Sequence, residues 1–466
     1  MRPRKFTRRN FLMTSAVGAG WAIGALGDDA HGLPAPAAAA PEPPGAALNV
    51  KSAPYDASGD GRTDDSLALQ AAIDDCFNAG GGTVYLPAGV YLLGGASIYL
   101  RDGVNVNGAG AFVTTVKLAD GANRPVITDG SAGKSGEYAF GRVRLADFAV
   151  DGNQAGNPKG QEGIFTTAYY STFERLYIHD CRAHGLRMGS PEIGNQSSQN
   201  RIVGCRIADC GGTGLLVDIN SVDHTISQNY IHSCDIGVQI GNGGVRVINN
   251  DIFGNATAAV QIEQTANNVI IAANDLNANA RNGIIITRTT VLNGGPWSQV
   301  MIANNSIQGD ALAADNSYDA IYVTTSVPKG IQEITIVGNK IYSPFAGKRF
   351  RYGVNLAENV VRAKCAANHI LDTATASYHV GPGCSGVDID RLGAGALKAP
   401  GVPRSGRALR NPFSAPVMVY VFGGKVKSIA VDNLPTGLTG GSLHLLPDQI
   451  ITLAYTQAPR WTWFGG

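Results

Sequence analysis

The sequence predicts an all-β protein built as a parallel β-helix, and three observations carry that prediction. Between residues 173 and 385 an Asn recurs two residues before an aliphatic residue, at intervals of 21 to 34 residues. Each copy is followed by a second short apolar strand that opens with Gly or Ala. The 60 Gly among 466 residues suit a fold with many tight turns. A short period with insertions at a constant phase indicates stacked units that share one core.

Two columns of this repeat are expected to be structural. The Asn residues should form a ladder, each amide hydrogen-bonded to the next coil, with no catalytic role. They are Asn229, Asn250, Asn274, Asn305, Asn339 and Asn368. Cys181, Cys210 and Cys234 recur three residues after the aliphatic anchor and should also stack. Strands about 4.8 Å apart allow a disulfide between coils, but a ladder of buried thiols is the favoured interpretation.

Residues 1–47 are interpreted as a twin-arginine signal peptide and a disordered lead-in. Thr7-Arg8-Arg9-Asn10-Phe11-Leu12 carries the arginine pair and an apolar run follows at 14–26. The run is too short for a membrane span. We therefore expect a secreted or periplasmic protein that is exported already folded.

The β-helix domain is predicted at 48–390 and should begin with a cap. Residues 64–78 form an amphipathic helix with Leu69, Ala72 and Ile73 on one face. Three glycines, residues 80–82, end the helix before a strand pair. The open end of a β-helix exposes apolar core and unpaired strand edges. The helix is the element expected to cover them.

The stretch DASGDGRTDDSLALQAAIDDCFNAGGGTVYLPAGVYLL, residues 56–93, resembles the opening module of the pectate-lyase-like superfamily. That superfamily includes rhamnogalacturonase-type, epimerase-type and tailspike-like proteins. The resemblance implies a right-handed parallel β-helix and action on a polysaccharide or oligosaccharide, while leaving the reaction open. Tailspike-like relatives are often trimers, so it also leaves a homotrimer open. The Asp and Gly residues of the motif itself are expected to be structural.

The last part of the chain changes character. Residues 391–410 are predicted to be a linker, and 411–466 a small β module with a Gly-Gly hairpin turn. Trp461 and Trp463 lie in its last six positions. The module is expected to act as a cap, as a subunit contact or, through these rings, as a glycan contact.

The formal net charge of +1 gives no argument for nucleic acid as a partner or for an anionic membrane surface. A carbohydrate polymer or oligosaccharide is the expected partner.

The second strand of each copy supplies a register for the surface. Side chains alternate along a strand, and the inward positions are apolar in every copy from Leu186 to Leu356. Outward residues then form two columns. The first contains Arg187, Leu216, Gln239, Gln261, Ile285, Tyr322 and Asn355, and the second Gly189, Asp218, Gly241, Glu263, Thr287, Thr324 and Ala357.

Asp218 and Glu263 are the predicted catalytic pair. They lie two coils apart with Gly241 between them, which places their backbones roughly 9–10 Å apart. Inverting glycosidases hold two carboxyl groups about 6.5–9.5 Å apart. The glycine is expected to leave room for a ligand.

Six side chains are predicted to bind substrate around this pair. They are His184, Arg187, Gln239, Gln261, Arg288 and Tyr322. Amide and guanidinium groups suit hydroxyl and carboxylate recognition. No metal site is predicted from the spacing of the acids.

Three functions follow from these residues. The first is an exported enzyme that cleaves or transfers glycosidic bonds, with Asp218 and Glu263 as acid and base. The second is a polysaccharide lyase on a uronic-acid polymer, in which Arg187 neutralises the carboxylate and His184 or Tyr322 is the base; such a lyase could use Ca²⁺. The third is a glycan-binding or cell-surface rod without catalysis.

Overall fold

Three long parallel sheets wind along the chain from Leu48 to Ile389, and a separate pair of antiparallel sheets follows. The computed structural model describes residues 47–129, 140–159, 161–190, 197–263, 266–288, 299–309, 313–344, 347, 349–389, 396–397, 399–413, 416–446 and 448–465. The predicted signal segment therefore lies outside the described residues, apart from residue 47. Within the described ranges, no helix has the length and apolar character that a bilayer crossing requires.

The first sheet, sheet A, has thirteen strands. They are β1 (Leu48–Asn49), β3 (Gly82–Leu86), β6 (Val104–Gly108), β9 (Arg144–Ala146), β12 (Thr172–Glu174), β16 (Arg201–Val203), β20 (Thr225–Ser227), β23 (Arg246–Ile248), β26 (Val269–Ala272), β29 (Val300–Ala303), β32 (Ile331–Val337), β35 (Val360–Ala366) and β38 (Asp388–Ile389).

Sheet B has twelve strands. They are β2 (Asp60–Asp64), β4 (Gly89–Leu93), β7 (Thr114–Leu118), β10 (Ala149–Asp151), β13 (Tyr177–His179), β17 (Arg206–Ala208), β21 (Tyr230–His232), β24 (Asp251–Phe253), β27 (Asp275–Asn277), β30 (Ser306–Gln308), β33 (Lys340–Tyr342) and β36 (His369–Ile370).

Sheet C has eleven strands and carries the predicted site. They are β5 (Ile98–Leu100), β8 (Ile127–Asp129), β11 (Ile164–Thr166), β14 (Leu186–Met188), β18 (Thr213–Val217), β22 (Ile236–Ile240), β25 (Ala258–Ile262), β28 (Asn282–Arg288), β31 (Ile321–Thr325), β34 (Tyr352–Glu358) and β37 (Ala376–Val380). A short ladder outside the three sheets joins β15 (Ser197–Ser198) to β19 (Ser221–Val222).

Each coil contributes one strand to each sheet in turn, so neighbours within a sheet come from successive coils. This confirms the predicted parallel β-helix. The predicted inward positions of sheet C are all buried, from Leu186 at 0% to Leu356 at 1% exposure. The core is therefore a set of aliphatic columns running along the axis.

The Asn ladder is confirmed in detail. Each amide nitrogen donates to the amide oxygen of the Asn on the next coil, at 2.9–3.0 Å from Asn229 to Asn368. The same oxygens accept the backbone N–H of the preceding Asn at 2.9–3.0 Å. One buried polar side chain per coil thus satisfies backbone groups that the bend would otherwise leave unpaired.

The Cys column also lies in the interior, and all seven cysteines are free thiols. The hydrogen bond with Cys181 and burial raise the pKa of Cys210, and the hydrogen bond with Cys210 and burial raise that of Cys234, so these thiols stay protonated. On the following coils Asn255 and Asn279 take over the Cys181–Cys234 column and hydrogen-bond to each other at 2.9 Å. The interpretation as buried thiols rather than disulfides is confirmed.

The predicted capping helix is α1 (Ser66–Asn78), which packs on the first coils. Leu69, Ala72, Ile73 and Cys76 are its buried face. The Asp side chains before it are structural, as expected. Asp65, for example, accepts the N–H groups of Ser58 at 2.7 Å and Gly59 at 3.0 Å.

The C-terminal module consists of two four-stranded sheets. One contains β39 (Ala396–Leu397), β46 (Arg460–Gly465), β41 (Val417–Phe422) and β44 (Gly441–Leu445); the other contains β40 (Ala408–Arg410), β45 (Ile450–Gln457), β42 (Lys425–Val431) and β43 (Leu434–Pro435). The segment predicted to be a linker, 391–410, thus supplies β39 and β40. It could not be recognised locally because both strands are short and pair with distant residues.

The module has a hydrophobic core of its own, and the terminal tryptophans belong to it. Trp463 is fully buried, and Trp461 is 9% exposed, with its ring 5.3 Å from that of Trp463. Alternation along β46 turns both rings inward. They are therefore not exposed for stacking on a glycan, as one interpretation of the sequence required.

Candidate active site

The outward face of sheet C follows the predicted column in unbroken register. Arg187 pairs with Leu216, Leu216 with Gln239, and Gln239 with Gln261. Ile285, Tyr322 and Asn355 continue the same row. Parallel pairing at this register holds neighbouring side chains about 4.8 Å apart, close enough for direct hydrogen bonds.

Arg187 is the centre of the face. Its Nε and Nη2 donate to Asp218 Oδ2 at 3.0 and 2.7 Å, and its Nη1 donates to Glu162 Oε1 at 3.1 Å. The guanidinium also lies 5.3 Å from the ring centroid of Phe165. A guanidinium has five N–H donors, so two remain beyond these three bonds. With its side chain 23% exposed, Arg187 is held rigidly and still open to solvent.

Asp218 follows the end of β18 and is largely covered. Its second oxygen, Oδ1, accepts the N–H of Ile219 at 2.7 Å. A Cβ added at Gly241 would lie 3.1 Å from the nitrogen of Ile219. The glycine between the two predicted acids therefore accommodates the backbone turn after Asp218, and this steric need is a reason for it other than room for a ligand.

Glu263 belongs to a second cluster on the same face. It accepts the amide of Gln239 at 3.0 Å and also the amide of Gln261. Gln239 in turn accepts the hydroxyl of Thr213 at 2.8 Å. Both amides are thus oriented with their nitrogens toward Glu263.

His184 joins the two clusters through Thr213. Its Nδ1 accepts the backbone N–H of Thr213 at 3.1 Å. Burial lowers the pKa of His184 most; Glu162 and Asp218 act to raise it and Arg187 to lower it. A neutral ring that accepts at Nδ1 carries its proton on Nε2, so His184 presents a hydrogen-bond donor.

Of the remaining predicted binding residues, Arg288 is turned inward and Tyr322 keeps its predicted place. Arg288 is 6% exposed and donates to the carbonyl of Gly330 at 3.1 Å. The prediction that Arg288 binds substrate on this face was wrong, because alternation along β28 puts Ile285 and Thr287 outward and Arg288 inward. Tyr322 does lie on the outward face and is half-buried, two coils beyond Gln261.

Two members of the site were missed from the sequence, Glu162 and Thr213. Each immediately precedes the small residue that opens a second strand, Gly163 or Gly214. The signal for Glu162 was present, since Gly163 and β11 are one further copy of the repeat toward the N-terminus. Extending the outward column by one coil reaches Phe165, the ring beside Arg187. Glu162 instead shares the position before the small residue with His184 and Thr213 on the next two coils.

The donor set on this face does not fit a calcium ion. Arg187 already bridges Glu162 and Asp218, so a cationic side chain lies where a metal would need to lie. Among the described residues, the His, Cys, Asp or Glu group that could hold a metal is Asp151, His179 and Asp180 on sheet B. There Asp151 is bound by Lys117 at 3.0 Å.

Comparison with known families and sequences gives matches to part of the chain. Residues 47–142 match the family described as rhamnogalacturonase A/epimerase, pectate lyase-like. The chain is 38% identical over 130 residues to alginate lyase 7 of Azotobacter vinelandii, covering 26% of this chain and 14% of that protein. It is 36% identical over 155 residues to mannuronan C5-epimerase AlgE4 of the same organism, covering 30% and 27%. The chain thus spans well under a third of these curated relatives.

Solved structures extend the likeness of fold along most of the chain. The A-module of the Azotobacter vinelandii mannuronan C-5 epimerase AlgE6 superposes with a TM-score of 0.56 at 22% identity, covering 73% of this chain and 98% of that one. The Dettilon tailspike protein gives a TM-score of 0.51 at 14% identity, covering 90% and 94%. At these identities the likeness establishes the parallel β-helix fold.

Proposed function

We propose that this parallel β-helix protein, whose residues 47–142 match the pectate-lyase-like family, removes the C5 proton from uronate residues of a polysaccharide. That step opens both β-elimination, which cleaves the chain, and C5 epimerisation, which inverts one carbon. The observation that carries the proposal is Arg187, held on the open face with donors to spare beside two carboxylates and a neutral histidine. The names of two relatives, an alginate lyase and a mannuronan epimerase, point to the same class of polymer.

The chemistry needs a cation or N–H donors at the substrate carboxylate. Loss of the C5 proton moves negative charge onto that carboxylate, and preorganised donors stabilise the charge as it develops. Arg187 has two N–H donors beyond its bonds to Asp218 and Glu162. A planar guanidinium binds a carboxylate through two such donors.

Asp218 is the proton acceptor in this proposal. It lies against Arg187, so a carboxylate bound by the guanidinium would bring its C5 proton toward Asp218. Its Oδ1 keeps acceptor capacity beyond the bond to Ile219, whereas Oδ2 already accepts two bonds from Arg187. His184, which carries its proton on Nε2, can then hydrogen-bond to the leaving oxygen, while the proton that this oxygen or the carbanion takes up comes from solvent.

Loss of deuterium to the solvent from oligomannuronate labelled at C5 tests the proposal, because both reactions begin with removal of the hydrogen at C5. Unsaturated product measured by ultraviolet absorbance then separates elimination from epimerisation. Arg187→Ala should lower turnover by at least about 100-fold, and Arg187→Lys should recover part of it.

The matched control is Arg246→Ala, since Arg246 is exposed on sheet A of the same coils. It should leave turnover unchanged. Full turnover by Arg187→Ala would remove the proposal.

Hydrolysis is the second candidate, and the shared column of Asp218 and Glu263 favours it. Both carboxylates are engaged as acceptors, Asp218 by Arg187 and Glu263 by two amides, which suits anions better than a proton-donating acid. A hydrolase would release reducing ends and retain the deuterium at C5. It would also lose activity in both Asp218→Asn and Glu263→Gln.

The wider setting is part of the same proposal. An export signal at 1–47 would deliver the folded enzyme to the periplasm or the medium, where such polymers are met. Since the donor set around Arg187 does not suit Ca²⁺, the proposed reaction assigns no step to a metal.

A further inference from the structure

A second cleft lies on sheet B, on a different face of the coils that carry the candidate active site. It encloses about 570 Å³. Phe112 forms one wall, and outward side chains of β13, β17, β21 and β24 form the floor. The reaction proposed for sheet C makes no use of it.

The cleft is lined by aromatic rings that remain open to solvent. Phe112 is 79% exposed and Tyr230 is 56% exposed. The Phe112 ring lies 5.8 Å from that of Tyr177, and the ring of Phe253 stacks on His232 at 4.8 Å. A clustered set of exposed rings on an otherwise polar surface marks a binding site.

Arg206 supplies a charge in the middle of the cleft. It lies 5.0 Å from the Tyr177 ring centroid and its Nε donates to His232 Nε2 at 3.2 Å. Within the described ranges, no carboxylate lies within ion-pair distance of Arg206. His232 adds no positive charge near neutral pH, since burial and Arg206 lower its pKa to about 4.

The balance of charge in the cleft is positive. Asp147, the carboxylate among the described lining residues, is bound by Arg175 through two contacts of 2.7 Å. Within the lining, Arg206 therefore has no carboxylate to balance it; Asp209, which interacts with Arg206 electrostatically, lies outside the lining. Beyond Tyr230 the row continues with Asp251 and Asp275, which would repel an anion and so limit the cleft on that side.

We propose that this cleft binds an acidic glycan chain as a second, non-catalytic site. The exposed rings would pack against the apolar faces of sugar residues, and Arg206 would pair with a uronate carboxylate. The chain would run from Tyr230 toward Phe112, away from the two acids. The choice of uronate rests on the function proposed above; the existence of the site rests on the cleft itself.

Binding of oligomannuronate to the Arg187→Ala protein, measured by calorimetry, tests the sheet B site, because this variant weakens binding at the candidate active site on sheet C. Residual binding is expected there, and adding Tyr230→Ala or Arg206→Ala should weaken it by about tenfold. Tyr230 is exposed, so its removal leaves the fold intact. Tyr420→Ala, an exposed tyrosine of the C-terminal module, is the matched control and should change nothing.

Two results would overturn the second site. One is complete loss of binding in Arg187→Ala alone; the other is equal affinity for an uncharged cello-oligosaccharide of the same length. Turnover of short oligomannuronate is measured in parallel on the native chain and on Tyr420→Ala, and the two should be equal. If no variant, nor the native chain, turns over uronate while binding still depends on Tyr230, the proposed function fails and the second site stands.

Discussion

Burial sets the protonation of single residues in this protein, and the histidines differ accordingly. His224 is fully buried, accepts the N–H of Asn200 at 3.3 Å and contacts the hydroxyl of Ser221 at 2.7 Å. Burial lowers its pKa to about 3. His184 has the same direction of shift but lies at the edge of a charged, half-open face. One ring is a structural link and the other is available to a substrate.

The first prediction concerns His224 and acid. Its folded pKa of about 3 lies below the unfolded value near 6.5, so the unfolded chain binds more protons between these values. Stability is therefore fully present above about pH 6.5 and is lost as the pH falls. In His224→Gln the free energy of unfolding should therefore fall less steeply as the pH is lowered, by up to about 1.4 kcal/mol per pH unit.

The free energy of unfolding, measured in denaturant from pH 7.5 to pH 5, gives this slope directly. His369→Gln serves as the control because His369 is exposed on β36. Parallel slopes for the native chain and His224→Gln would contradict the prediction, whatever the absolute loss of stability.

At the scale of elements, the Asn ladder explains how coils of unequal length stay aligned. The insertions change the interval from 21 to 34 residues, yet each Asn finds the same partner on the next coil at about the same distance. Each amide satisfies backbone and side-chain groups together. Because every bond is to a neighbouring coil, the ladder holds adjacent coils in register regardless of what is inserted between them.

The second prediction is the cost of breaking this ladder. In Asn274→Ala, the backbone N–H and the side-chain amide of Asn250 would lose the oxygen that accepts their hydrogen bonds. The carbonyl of Val247 would lose the amide that donates to it. Loss of several buried hydrogen bonds should destabilise the β-helix by roughly 2–4 kcal/mol. Asn277→Ala, on the outward side of β27, should change stability by less than about 0.5 kcal/mol. Similar denaturation midpoints for the two variants would show that the ladder is not stabilising.

At the scale of the whole molecule, two hydrophobic cores coexist in one chain. The β-helix core runs from Val50 to Cys365, and the module core is built around Val419, Ile429 and Trp463. The two sets of buried residues do not overlap. A chain with separate cores need not unfold in a single step.

The third prediction follows from that separation. Trp463→Ala removes the largest buried ring of the module and should cost it about 3–5 kcal/mol, lowering one calorimetric transition. The midpoint temperature of the β-helix transition and the turnover of short oligosaccharides should be unchanged. Tyr420→Ala, exposed on β41, is the control; a single transition that shifts as a whole would contradict two independent cores.

The sequence by itself determined the β-helix, the Asn and Cys columns and the outward row from Arg187 to Asn355. These depend on period and alternation, which are local properties of the chain repeated on every coil. The same rule, applied one step further along β28, would have placed Arg288 inside.

Only the tertiary structure decided which side chains meet. Arg187 binds Glu162, 25 residues before it, and Asp218, 31 residues after it, and the sheet B cleft brings Phe112 to Arg206. The two tryptophans, for which the sequence left a cap, a subunit contact and a glycan contact open, are core residues of the module. Such outcomes depend on loop paths and on rotamers across coils, for which the repeat carries no signal.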